Sequence, residues 1–154
     1  MRALGLDLGT KRIGVAVSDD ARTLATPLTV VQRSTDRGAD HRRIAALVQE
    51  WEADLVVVGL PLSLDGSTGP AALAALAEVE ELRAAVPVAI TVQDERLSTV
   101  SAERSLAAQG VRGPARRRVI DQVAASVLLQ ACLDDPANQA VNKGIGTAPR
   151  TEDP

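Results

Sequence analysis

Carboxylates at three well-separated points of the chain have the residue types and settings for chemistry: Asp7, the adjacent pair Asp94 and Glu95, and Asp121. Asp7 alternates with leucines in the stretch Leu4-Gly5-Leu6-Asp7-Leu8-Gly9, which has the period of a strand. A strand aspartate ordinarily faces water. Here the next run, Ile13-Gly14-Val15-Ala16-Val17, reads as the second strand of a hairpin and shows little sign of a wet face. Asp7 is therefore expected in a partly covered site beside a cationic partner, which a metal ion could be. Gly5 and Gly9 flank it without side chains, an arrangement that suits close approach of another backbone or a ligand.

Asp121 falls in the first turns of a helical pattern, and three, four and seven positions on stand Ala124, Ala125 and Leu128, so it borders the packing face. Its plainer role is a helix-dipole aspartate, worth about 0.3–1 kcal/mol near an N-terminus. Asp94 and Glu95 end an apolar strand, and alternation lets only one of them face a site; the other role open to them is pairing with Arg96 or Arg104. If three acids converge, mutual repulsion raises their pKa values, and the usual relief is a divalent cation with oxygen ligands, Mg²⁺ or Mn²⁺. Two such ions about 4 Å apart hydrolyse phosphodiesters without histidine or cysteine.

The rest of the composition narrows the alternatives. His41 is the only histidine and is expected on the solvated flank of its helix, so no histidine metal cluster is possible. The single cysteine, Cys132, excludes an internal disulfide, fits a reducing compartment and reads as a small buried hydrophobe. One Trp and no Phe or Tyr leave an aliphatic core and no aromatic platform for stacking bases, though backbone-directed electrostatic contact stays open. A formal charge of −3 does not advertise a nucleic-acid binder, yet a local basic rim can coexist with it. No apolar run approaches the roughly 18 residues of a membrane helix, and the first residues begin a strand rather than a signal segment, so the expected location is cytoplasmic with no membrane partner.

The elements that must position these residues follow from periodicity. After the hairpin, Ala25-Thr26-Pro27 breaks the pattern and residues 28–31 form a short third strand, followed by a polar segment to Asp40. A helix fits residues 41–52, with Ile44, Leu47, Val48 and Trp51 on one face. Residues 55–58 form a continuous apolar strand covered on both sides. The turn-rich loop 60–70 then leads into an alanine-rich helix over 71–84 with Pro70 at its start, and a fifth strand covers 88–92. Ser98 caps a helix running to Gln109, residues 111–118 form an arginine-bearing loop, and a last helix spans 117–133. The expectation is one α/β domain over 1–134, a mixed five-stranded sheet with helices on both faces, and a disordered tail over 135–154. In such a sheet the first strand and the 55–58 strand are neighbours where the strand order reverses, the place where ligands bind. Arg116, Arg117 and Arg118 offer sequence-independent attraction for phosphate.

With these motifs in hand, GLDLGTKRIGVAVSD, VVGLPLSLDGSTGP, DERLST and IDQVAASVLLQ in that order, the chain resembles the RuvX/YqgF family over about residues 2–133. The resemblance implies a ribonuclease-H-like fold and either nuclease action on the 5′ end of pre-16S rRNA in ribosome biogenesis or Holliday junction resolution. It implies catalytic, metal-holding acids at Asp7, Glu95 and Asp121, selecting Glu95 over Asp94, and basic positions at Lys11, Arg12 and Arg96. Those three either contact phosphate or pair with a neighbouring acid. Ser63 stands where many relatives carry asparagine. Expected partners are pre-rRNA or branched DNA and ribosomal particles, with the protein a monomer or a homodimer; a resolvase that cuts two strands symmetrically needs a dimer. Two other classes compete: a non-catalytic rRNA-binding module, and an actin-like ATP-binding protein suggested by DLGTKRIGVAV, for whose duplicated domain 154 residues are too few.

Overall fold

The computed structural model of the chain describes residues 1–63, 65–95 and 113–137. Five strands, β1 (Arg2–Leu8), β2 (Arg12–Ser18), β3 (Ala25–Gln32), β4 (Ala53–Leu60) and β5 (Ala89–Asp94), form one sheet in the order β3-β2-β1-β4-β5. Strands β1, β2 and β3 are antiparallel neighbours, while β4 pairs in parallel with β1 and β5. Three helices are described: α1 (Arg37–Glu50), α2 (Pro70–Ala85) and α3 (Gly113–Asp134). This is the mixed five-stranded sheet expected from the sequence, with α1 and α2 on one face and α3 on the other.

Alternation along β1 sorts the two faces. Leu4 and Leu6 enter a cluster with Ile44 and Val48 of α1 and Val79 and Leu82 of α2, while Ala3 joins Ala16, Val57 and the α3 residues Ala125, Leu128 and Leu129 on the other face. Each fully buried Leu or Val contributes about 1.5–3 kcal/mol relative to exposure, so the two clusters hold α1 and α2 on one side and α3 on the other. Gly5 and Asp7 share the parity of Ala3 and thus belong to the α3 side. An added Cβ at Gly5 would lie 2.8 Å from Leu129 Cβ and 2.9 Å from the Ala125 carbonyl, so the space beside this glycine is taken by the helix rather than by a ligand.

Several boundaries differ from the expectation for identifiable reasons. β3 begins at Ala25, ahead of Pro27; it is an edge strand, where a missing N–H is tolerated, and its register with β2 shifts between Val15 and Ala16, beside the proline. α1 starts four residues before His41, because Asp36 caps it by accepting from the Ala39 N–H at 3.1 Å. The α3 helix takes in residues 113–118, which the arginine content alone made look like loop. The expected helix over 98–109 and residues 138–154 of the tail lie outside the described residues.

His41 is the clearest correction. It is buried, not solvated, and its Nε2 lies 2.8 Å from Glu78 Oε2. Glu78 also receives both terminal nitrogens of Arg33, at 2.9 and 2.8 Å, and Arg33 Nε donates to the Gly9 carbonyl at 2.7 Å. The helical pattern put His41 beside Ile44, but nothing local showed that α2 would cover it with a carboxylate.

Candidate metal centre

Asp7 stands near the carboxyl end of β1, directly opposite Gly14 of β2. On the other side, Leu6 pairs with Val58 of β4, so Gly59 is the next residue along beside Asp7. The acid is thus flanked across the sheet by glycines on both neighbouring strands, and the protein uses both gaps. A Cβ on Gly14 would fall 2.1 Å from the Asp121 carbonyl oxygen, and one on Gly59 would fall 2.5 Å from Glu95 Oε2. The absent side chains let the α3 backbone and the Glu95 carboxyl close on Asp7 from opposite sides.

Glu95 follows β5 directly and its N–H donates to the Leu60 carbonyl at 3.3 Å, which carries its side chain over β4. Asp94, one position earlier, is exposed. The Asp7 and Glu95 carboxyls hydrogen-bond to each other, which requires a proton on one of them. Burial first, and then the charge of Asp121, push Asp7 up from 3.8 to about 6. Burial first, then the charge of Asp7 and the hydrogen bond to it, push Glu95 up from 4.5 to about 7. These values belong to the pair as a unit.

Asp121 completes the group by charge. It is near enough to raise Asp7, but its own Oδ2 is taken by Arg12 Nε at 2.6 Å. Among the described residues no three His, Cys, Asp or Glu side chains stand already grouped as ligands of one ion. The donor set nonetheless fits a hard divalent cation. Its atoms are carboxylate oxygens only, and a cation among them offsets the burial and the mutual repulsion that raise the pKa values of Asp7 and Glu95.

The basic residues expected to meet phosphate fall in three groups. Arg12 is drawn into the site as the partner of Asp121, whereas Lys11, next to it, is exposed. Arg117 and Arg118 are exposed on α3, four and three residues before Asp121, which places them one turn away on the same side of the helix. Arg116 is half-buried, with an Nε that has no hydrogen-bond partner among the described residues. Arg96 lies outside the described residues. Reasoning from sequence missed Gly14, Gly59 and Arg33. A glycine inside each of two apolar strands was the available signal for the first two; for Arg33 there was none.

The model of the RuvX family, described as Holliday junction resolvase, matches residues 1–135. A Nocardia farcinica protein named "Putative pre-16S rRNA nuclease" is 50% identical over 153 residues, covering 96% of this chain and 84% of that one. An Anaeromyxobacter protein of the same name is 50% identical over 134 residues, covering 87% of this chain and 97% of that one. Among solved structures, Thermus thermophilus RuvC in complex with a Holliday junction substrate aligns over 96% of this chain and 98% of that one, at a TM-score of 0.46 and 18% identity. With the family pattern running through both acid-bearing strands and α3, and with half of all aligned positions shared with these relatives, the chain belongs to the RuvX family.

Proposed function

We propose that this chain is a divalent-metal-dependent endonuclease that hydrolyses nucleic-acid phosphodiesters, with the 5′ end of pre-16S rRNA as its substrate and the cytoplasm as its location. The observation that carries the reading is the closing of Glu95 and of the Asp121 backbone on Asp7 through the gaps at Gly59 and Gly14. Buried acids cost stability unless paired, so their meeting calls for a function. The substrate comes from the relatives' shared name, and the family's description supports Holliday junctions as a second substrate.

In this reading Asp7 and Glu95 hold the cation, with Asp121 as a third ligand. The cation supplies stabilisation of the charge that develops on the scissile phosphate and activation of the attacking water. The pair is half-buried on the α3 side of the sheet. Arg117, Arg118 and Lys11, exposed nearby in the chain, attract the phosphate backbone without reading sequence.

The test uses the full chain with a precursor rRNA spanning the 5′ processing site and with a four-way DNA junction, each in Mg²⁺, in Mn²⁺ and in EDTA. The expected result is cleavage of the precursor that requires the metal and falls at least about 100-fold in Asp7→Asn. Cleavage that survives chelation, or equal activity in Asp7→Asn, removes this mechanism. Cleavage of the junction alone moves the substrate to the second reading.

A further inference from the structure

Arg12 opens β2 and shares the parity of Gly14 and Ala16, so it faces α3 with them. Its Nε meets Asp121 Oδ2 at 2.6 Å across 109 residues of chain, and both side chains are largely covered, at 23% and 21% exposure. The contact uses one edge of the guanidinium. Among the described residues the two terminal amino groups of Arg12 make no hydrogen bond, which leaves free the fork that suits a phosphate.

Arg12 is the cation paired with the Asp121 carboxylate. A guanidinium does not lose its charge in a protein, so it cannot vacate the carboxylate by deprotonation. It leaves the carboxylate by passing to water or to another anion, still charged. The anion at hand in a nuclease is the substrate's backbone, and the adjacent Lys11 is exposed to it.

We propose that Arg12 is a displaceable counter-ion: in the metal-free protein it occupies Asp121, and on substrate binding a backbone phosphate takes the guanidinium while the divalent cation takes the carboxylate. Nucleic acid and cation then bind with positive coupling, and by linkage each tightens the other by the same factor. The inference rests on the metal-centre reading above and makes Arg12 a positioning residue for Asp121. Without Arg12 the cation has no competitor for Asp121, so metal affinity rises and the coupling disappears.

The experiment measures Mn²⁺ binding to the full chain from the electron paramagnetic resonance of free Mn²⁺, for wild type, Arg12→Gln and Arg12→Lys. It then measures the affinity of a fluorescein-labelled RNA hairpin by anisotropy in EDTA and in Ca²⁺ at equal ionic strength. Arg12→Gln is expected to bind Mn²⁺ about fivefold more tightly than wild type, with Arg12→Lys between them. Wild type is expected to bind the hairpin about fivefold more tightly with Ca²⁺ than in EDTA, an enhancement lost in Arg12→Gln. A purely structural Arg12 would weaken folding without moving that ratio. Equal or weaker Mn²⁺ binding by a folded Arg12→Gln overturns the inference, as does a wild-type chain whose hairpin affinity ignores Ca²⁺, a measurement that needs no variant. Cleavage with unaltered coupling defeats this inference alone, whereas absence of Mn²⁺ binding in every protein defeats the metal centre with it.

Discussion

The raised pKa values of Asp7 and Glu95 make the metal-free site sensitive to pH in a direction opposite to that of most carboxylates. Both groups hold protons more tightly in the folded chain than their ordinary values of 3.8 and 4.5, at about 6 and about 7. Between the two sets of values the folded state binds more protons than the unfolded state. Their contribution is therefore favourable below the unfolded values and is lost as pH rises through about 6 and 7. Thermal unfolding in EDTA is expected to show stability declining from pH 5 to pH 8 by on the order of 1–3 kcal/mol, after allowance for partial solvent access. Under the proposed metal-centre reading, saturating Mg²⁺ or Mn²⁺ is expected to flatten the decline, because the cation would take over from the proton. By the same reasoning Glu95→Gln, which the proposed function expects to abolish cleavage, is expected to raise the melting temperature of the metal-free protein at pH 8 by about a few degrees. A drop in its melting temperature there would contradict the assigned repulsion.

At the scale of elements, the site exists because α3 lies unusually close to β2. The Gly14 position decides this: the atoms that a Cβ would strike, at 2.1 and 2.6 Å, are the carbonyl oxygen and carbon of Asp121, and backbone cannot turn aside as a side chain can. Gly14→Ala is expected to push α3 outward, costing about 2–3 kcal/mol by overpacking and lowering cleavage through the displaced Asp121. Gly38→Ala is the matched control. Its nearest neighbours are the Asp36 Oδ1 and Arg42 Nη1 side-chain atoms, at 3.3 and 3.4 Å, and helix propensity favours the alanine, so stability should stay within about 1 kcal/mol of wild type. Denaturant midpoints of the two variants give the comparison, and similar losses in both would remove the close approach of α3 as the cause.

Across the whole molecule, the helices on the α1 and α2 face are tied to the sheet and to each other by charge as well as by apolar packing. Arg33, at the foot of β3, grips the Gly9 carbonyl in the turn after Asp7 and binds Glu78 on α2 through both terminal nitrogens; Glu78 in turn meets His41 of α1. Burial alone would raise Glu78, but hydrogen bonds from Arg33 and His41 and the charges of Arg33 and Arg37 bring it below its usual 4.5. Its contribution is therefore present above the unfolded value and lost only as pH falls through the lowered one. Glu78→Gln keeps the shape but leaves buried cations uncompensated, with an expected loss of about 3–5 kcal/mol in urea unfolding. A loss below about 1 kcal/mol would mean that solvent, and not Glu78, neutralises Arg33. Together with the Asp7–Glu95 pair, this network places maximum metal-free stability in the weakly acidic range.

How much of this was legible beforehand depends on how far each feature reaches along the chain. Alternation in Leu4 to Leu8, the apolar run of β4, the helical spacing around Ile44 and the turn-rich residues near Gly66 and Gly69 are local. Local patterns of this kind along the chain specified the five strands and the three described helices and brought out the candidate acids, because backbone period and turn preference act between near neighbours. The motif resemblance went further and selected Glu95 over Asp94, and the structure puts the former beside Asp7 and the latter in solvent. Only the closed fold decided that Gly14 and Gly59 make the gaps around Asp7, that Arg12 holds Asp121 and that His41 is buried on Glu78. Each of those contacts joins residues tens of positions apart or more, or depends on which strands become neighbours, and a pairing of that kind has no energy until the sheet has formed and α2 and α3 have packed against it.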